Sequence, residues 1–300
     1  MSKLAIVIPY YKIDFFEETL QSVATQSNRD FVVYIGNDAS PDDPLPLIEK
    51  YLSDFSYFYF DYKDNLGGKN LALQWERILK NVKEDWFQIL GDDDIISEKF
   101  VEEFYKNIDD IQEQQCNVIK YKQCWVNENN SIIRDYTSYP KIMEAWECWS
   151  KKYLDGNQSS LSEHIFRTEM YRKKGFVHLP LAWGTDDLAV LEFANGQPIY
   201  FIENAHVSVR ISTENISGKK DNISEKETAI VQLHDYLLKK HFKNIPLPYF
   251  HKIIDGKIRS AFKNKQTKLN IPLFKIYFSR KQYLKILQLP QLYFYLYKNK

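Results

Sequence analysis

Residues Gly91-Asp92-Asp93-Asp94 follow directly on Trp86-Phe87-Gln88-Ile89-Leu90 and are closed by Ile95-Ile96. Adjacent carboxylates repel one another, so a fold that gathers three on one turn suits a cation. Oxygen donors with no His or Cys nearby favour a hard ion, Mg²⁺ or Mn²⁺, and Mg²⁺ is commonly shared with substrate phosphates. The same residues would also serve as a solvated acidic turn capping the helix expected from Ser97 to about Gln114. A second acidic pair, Asp186-Asp187, opens an amphipathic segment running to Ala194. Such pairs are dipole-favoured helix caps as often as they are catalytic groups.

These residues need elements to hold them. Leu4–Ile8 is a buried-strand run ended by Pro9, which lacks an N–H and suits a strand terminus. Asp14 with Glu17 forms a capping-box pattern ahead of a helix through Phe16, Leu20, Val23 and Ala24. Phe31–Ile35 predicts a second strand, ending in the polar turn Gly36-Asn37-Asp38-Ala39-Ser40. A helix from Pro44 and a strand at Tyr57–Tyr62 follow, and then Asp64-Asn65-Leu66-Gly67-Gly68-Lys69-Asn70 turns into a helix through Trp75 and Leu79. The glycine pair permits a closely approached backbone, and Lys69 at a helix start could face phosphate. Trp86–Leu90 is the fourth strand. Strands alternating with helices predict a parallel, doubly wound sheet to about residue 115, with ligands held beyond the strands' carboxyl ends.

The second half is less regular. Val118–Val126 predicts a strand and Ile142–Tyr153 a helix. Ser159–Phe166 is read as leading into a helix with Met170 and Tyr171, and Ile199–Ile202 and Ala205–Ile211 as two closing strands before Asn215-Ile216-Ser217.

Composition narrows the class. The chain has 300 residues, 44% hydrophobic and 15% aromatic, with a formal net charge of zero that is unevenly spread. Residues 239–300 hold fifteen Lys/Arg against one acid, Asp255. An acidic body with a basic, aromatic tail implies an anionic partner for the tail, and the Leu, Ile and aromatic content fits an anionic membrane surface better than nucleic acid. The rival expectation is that the tail packs on the acidic body. Three cysteines without metal-type spacing read as reduced thiols in an intracellular protein. The first apolar run is too short for a signal peptide, and no run reaches the ~18 residues of a membrane span. Together these point to a cytoplasmic protein, peripheral at the membrane's inner face if the tail binds there.

With Ile6-Val7-Ile8-Pro9-Tyr10-Tyr11, Asn37-Asp38-Ala39-Ser40, Asn65-Leu66-Gly67 and Gly91-Asp92-Asp93-Asp94 in this order, residues 3–212 resemble the family 2 glycosyltransferases. The resemblance implies a GT-A fold, a Rossmann-like, mostly parallel α/β sheet flanked by helices. It also implies inverting transfer from a nucleotide-diphospho-sugar, a UDP-sugar first, with Mn²⁺ or Mg²⁺. The acceptor would be a glycan or lipid-linked molecule in surface polysaccharide assembly. Carried over by position, Pro9 and Tyr11 would line the nucleoside pocket, and Asp38 would accept a hydrogen bond from the base. Asn65 and Lys69 would lie near base or diphosphate. Asp92 would touch the ribose or sugar, Asp93 would bind the metal, and Asp94 would support it. Asp187 with Asp186 would supply the catalytic base, and Arg210 would face the diphosphate. The expected organisation is a glycosyltransferase domain over residues 1–235 (nucleotide half 1–115, acceptor half 116–235) and a basic helical extension over 236–300.

Two other readings share this sheet. A sugar-nucleotide pyrophosphorylase would carry a Gly-rich basic signature in the first strand-to-helix turn, where this chain has Tyr10-Tyr11-Lys12-Ile13-Asp14. A non-catalytic carbohydrate- or nucleotide-binding protein would keep the fold without turnover.

Overall fold

The computed structural model describes residues 2–212, 218, 221–263 and 273–298. They form two compact units, Met1–Val231 and Gln232–Lys300. In the first, β1 (Leu4–Tyr10), α1 (Phe16–Ala24), β2 (Phe31–Asp38), α2 (Leu45–Leu52), β3 (Tyr57–Tyr62), α3 (Leu71–Leu79) and β4 (Trp86–Ile89) alternate strictly. Then come β5 (Ile95–Ile96), α4 (Phe100–Glu113), β6 (Val118–Val126), β7 (Ile132–Arg134), β8 (Ile142–Met143) and α5 (Ala145–Leu154). β9 (His164–Arg167), α6 (Thr168–Lys174), α7 (Thr185–Ala194) and β10 (Ile199–Arg210) complete the sheet and its cover. α8 (Ile223–Lys240) crosses the boundary between the units, and α9 (Leu247–Lys263), α10 (Leu273–Ser279) and α11 (Tyr283–Lys298) make up the rest of the second.

The sheet runs β3-β2-β1-β4-β9-β6-β10-β5, with β7 on β6 and β8 on β10. β1 is buried on both faces because Leu4 to Ile8 are apolar without a break, and all five have no exposed surface. The first four strands are parallel, as the alternation predicts. β9 departs from the parallel order: the segment that leads into α6, with Met170 and Tyr171, is itself a strand, lying between β4 and β6 and antiparallel to both. The two expected closing strands are one, β10, with a register shift between Ile202 and His206. The Asp14 capping box does not form. Phe15 takes the N-cap position of α1 without a side-chain cap. Residues 215–217 lie outside the described set.

One feature of register positions the site. β1 pairs with β2 as far as Tyr10↔Asn37 but with β4 only to Val7↔Ile89. Beyond that point the chain leaves β4 for the acidic turn, at the carboxyl ends of β1 and β4, where open α/β sheets hold ligands.

Candidate active site

The acidic turn sits at the carboxyl end of β1. Asp92 Oδ2 accepts both the Tyr11 N–H, at 2.8 Å, and the Lys12 N–H, at 2.9 Å, so one oxygen bridges the end of β1. Asp94 is buried: Oδ1 accepts the Arg210 N–H at 2.9 Å, Oδ2 accepts the Ser162 hydroxyl at 2.5 Å, and its carbonyl accepts Thr19 Oγ1 at 2.9 Å. Burial first, and the adjacent Asp93 second, push the Asp92 carboxyl up to about 7 and that of Asp94 up to about 8. Gly91 makes this crowding feasible, because a β-carbon there would lie 2.9 Å from Asp94 Oδ2 and 3.1 Å from Asp93 Oδ1.

Asp93 is fixed through its backbone. Its carbonyl accepts Arg210 Nε at 3.0 Å, and every N–H of that guanidinium has a partner. Nη1 donates to the Asn127 and Glu128 carbonyls, and Nη2 to Glu18 at 2.6 Å and Asn130 Oδ1 at 2.8 Å. The group also lies 4.1 Å from the centre of the Phe15 ring and is 1% exposed. Arg210 therefore buttresses the acidic turn, with its guanidinium buried.

Behind the turn lies a closed ionic cluster. Ser162 Oγ accepts the Gly91 N–H while donating to Asp94, and the Ser162 carbonyl accepts Gln88 Nε2. The next residue, Glu163, has no exposed surface and pairs with Lys120 at 2.7 Å. Its oxygens also accept from Gln123, Ser159 and Ser160. Lys120 and these donors outweigh burial and hold the Glu163 carboxyl down at about 2. His164 places Nδ1 2.7 Å from the Ser160 carbonyl and Nε2 3.2 Å from Lys120 Nζ. Nδ1 therefore carries the proton and Nε2 accepts from the ammonium. Burial, reinforced by Lys120, lowers the His164 pKa to about 4.

On the other side of β1, Asp38 closes the β2 end. Its oxygens accept the Leu66 N–H at 2.8 Å and the Gly67 N–H at 2.7 Å, and it forms an ion pair with Arg77. Burial raises the Asp38 carboxyl pKa in spite of these partners. A β-carbon on Gly67 would meet Asp38 Oδ2 at 2.6 Å, so the turn requires glycine there. Asn65 accepts the Gly68 N–H at 2.5 Å, Asn70 caps α3 through the Ala72 N–H, and Lys69 is exposed. Ser40 donates to the Tyr11 carbonyl at 2.7 Å, tying this loop to the Asp92 bridge, and Tyr11 is 39% exposed beside half-buried Pro9.

The second acidic pair begins α7. Lys152 Nζ lies 2.8 Å from both Asp187 oxygens, and the Tyr153 hydroxyl donates to Oδ2 at 2.6 Å. The Asp186 side chain is 17% exposed against 5% for Asp187. Burial and then Asp187 push the Asp186 carboxyl up to about 7. The approach to α7 is anchored on the donor side, because Asn70 Nδ2 donates to the Leu179 carbonyl and the Leu179 N–H to Thr185 Oγ1. Glu163 adds negative potential at both Asp94 and Asp186, so the two acidic groups share one electrostatic neighbourhood.

The sequence profile of glycosyl transferase family 2 matches residues 5–177, more than half of the chain. The chain belongs to glycosyl transferase family 2. An uncharacterized glycosyltransferase of Rickettsia conorii is 28% identical over 169 residues, 55% of this chain and 23% of its own length. One of Mycoplasma genitalium is 30% identical over 129 residues, 41% and 42% of the two chains. This chain thus spans about a quarter of the Rickettsia relative. Among solved structures, S. aureus TarS 1–349 in complex with UDP-GlcNAc superposes with a TM-score of 0.58 at 16% identity, covering 86% of this chain and 80% of that one. The UDP complex of the same protein gives 0.54. These likenesses establish the GT-A-type fold.

Within this family 2 chain, the structure brings Tyr11, Asp92, Asp93, Asp94 and Arg210 into direct contact, and Asp38 with the 65–68 turn. It links Asp186 and Asp187 to them through Asn70 and the 159–163 segment. Lys120, Ser162, Glu163, Lys152 and Arg77 were not singled out from sequence. A lysine inside the apolar strand Val118–Val126 was the available signal, because a buried charge needs a partner. The run Ser159-Ser160-Leu161-Ser162-Glu163-His164 was its counterpart.

Proposed function

We propose that this protein is an inverting glycosyltransferase. It would move a sugar from a nucleotide-diphospho-sugar, with UDP as carrier, to a hydroxyl of a glycan or lipid-linked acceptor in surface polysaccharide assembly. The observation that carries the reading is the acidic turn tied to the carboxyl end of β1 by Asp92, with a second carboxylate pair opening α7. The UDP-GlcNAc and UDP complexes of TarS support uridine as the base.

Mg²⁺ or Mn²⁺ fits the acidic turn. The donors are hard carboxylate oxygens, and three carboxylates adjoin on one turn. Asp93 would hold the ion with Asp94, itself fastened by Ser162 and Arg210, supporting it, and Asp92 would touch the ribose or sugar. Among the described residues no three His, Cys, Asp or Glu side chains are placed to hold a metal ion by themselves. Ions of this kind commonly complete their shell from water and substrate phosphates. When bound, the ion supplies charge neutralisation for the departing diphosphate.

The chain's own residues do the rest. Asp38 reaches a bound base through the turn it holds, and Asn65 and exposed Lys69 stand at that turn for base and diphosphate. Pro9 and Tyr11 line the nucleoside. Asp187, oriented by Lys152 and Tyr153, takes the proton of the acceptor hydroxyl as its oxygen bonds to the anomeric carbon and the diphosphate leaves. Asp186 acts with it. One carboxylate on the acceptor side and one displacement invert the centre, unlike the two-carboxylate arrangement of glycoside hydrolases.

Calorimetric titration of UDP with and without Mn²⁺ tests the reading, alongside turnover of a panel of UDP- and GDP-sugars. Binding should require the ion and fall at least about tenfold in Asp93→Asn. Undiminished Mn²⁺-dependent binding in that variant moves the ion elsewhere, and turnover confined to GDP-sugars overturns the base assignment.

A further inference from the structure

The last two helices of the second unit have apolar side chains on two faces, and one of those faces is exposed. Tyr277 and Leu289 face inward, at 4% and 6% exposure. Arg280 fastens the α10–α11 corner by donating to the Phe242 and Ile245 carbonyls at 2.5 and 2.7 Å, and the Tyr277 ring meets Phe250 edge-on at 6.1 Å. The opposite face of this fastened hairpin is not polar. Phe274 and Phe278 are 61% and 58% exposed and stack on each other. Leu284, Leu287 and Phe294 are 80%, 74% and 67% exposed. At helical spacing, Leu284, Leu287, Gln291, Phe294 and Lys298 share one stripe of α11.

We propose that this face docks on an anionic lipid bilayer. Charge decides among occupants. After Asp255 the chain has eleven Lys/Arg and no acid, and Lys275, Lys281, Lys285 and Lys298 are exposed on α10, α11 and the corner between them. A second copy would bring two surfaces of the same sign together. A bilayer with acidic headgroups meets both requirements at once: the Phe and Leu side chains enter the acyl boundary while the lysines reach the phosphates. Among the described residues no helix is long and apolar enough to cross a membrane, so the attachment lies on the surface. Such docking would hold the enzyme where a lipid-linked acceptor resides, but it requires neither a donor nor turnover.

The test is flotation of the full chain with vesicles of phosphatidylcholine alone or mixed with phosphatidylglycerol, at low and high salt. Wild type should float only with the mixed vesicles and detach as salt rises. Lys275→Gln, Lys281→Gln and Lys285→Gln should each weaken partitioning about fivefold. Leu284→Ser/Leu287→Ser/Phe294→Ser should abolish it while melting temperature and Mn²⁺-dependent UDP binding stay unchanged. Wild type that ignores the mixed vesicles overturns the proposal, as does a serine variant that floats like wild type. A serine variant that changes only the sedimentation of a dimer assigns the face to a second copy instead. A failure of UDP binding would count against the donor assignment and leave the flotation result standing.

Discussion

Mild acid should weaken this protein through His164, and the size of the effect can be worked out from its surroundings. The folded ring accepts from Lys120 at Nε2, so a proton there would set two cations face to face inside the core. Its pKa is accordingly about 4 in the fold against 6.5 ordinarily. The unfolded chain therefore takes up a proton that the folded chain refuses in this window, and stability falls as the pH drops from 6.5 towards 4. By pH 5 the loss is about 2 kcal/mol, and by pH 4 about 3 kcal/mol. Asp92, Asp94 and Asp186 carry the opposite sign. Their raised folded pKa values give stability that is full at low pH and lost as the pH climbs to about 7 or 8. The whole-protein curve thus hides the histidine, and a difference measurement is needed. His164→Gln can donate to the Ser160 carbonyl and accept from Lys120 without titrating. Urea unfolding of wild type and variant at pH 7.5 and pH 5 should show the difference between them shifting by about 2 kcal/mol in favour of the variant at the lower pH. A difference that is the same at both pH values would refute the buried neutral histidine and the tautomer assigned to it.

Asp187→Asn should bind UDP-sugar normally and lower single-turnover transfer by about a hundredfold or more, with Asp186→Asn doing less. The reverse order would move the base by one residue, and normal transfer in both would remove the pair. Asp38→Ala leaves the Leu66 and Gly67 N–H groups and Arg77 without their acceptor. It should weaken UDP and UDP-sugar alike, and lost turnover at unchanged nucleotide affinity would contradict that. Arg210→Lys replaces five directed donors with one ammonium. Thermal unfolding should report a loss of about 2–4 kcal/mol together with weaker Mn²⁺-dependent UDP binding. Full stability in that variant would mean the guanidinium hub is dispensable.

The parallel half of the sheet was legible because its signals are local. Each strand is a continuous apolar run, each helix has its own period, and Asp38, Asn65 and Asp92 fall at strand ends where polar residues have no structural reason to cluster. What stayed hidden depends on distant pairing. Nothing near Arg210 announces that Glu18 and Asn130 will meet it, so its charge reads as a surface phosphate contact. His164–Arg167 carries the composition of a helix approach, and only the gap between β4 and β6 makes it a strand. Residues 91–94 are legible as an acidic turn, but their division of labour is not. Which carboxylate bridges β1 and which is locked by Ser162 follows from the backbone path.

The position of β9 also has consequences for the order of assembly during synthesis. When the first 160 residues have left the ribosome, β4 and β6 each present an open edge of unpaired backbone groups, the kind of edge that invites association with other chains. Four residues, His164–Arg167, then fill both edges at once. A cut at residue 115 would leave the β4 edge bare on one fragment, so the nucleotide and acceptor halves are not pieces that can be exchanged between proteins. Ser162, two residues ahead of that strand, latches Gly91 and Asp94. The acidic turn is therefore latched on one side when β9 docks and on the other only when β10 brings Arg210, so a chain that stalls before β9 has neither latch.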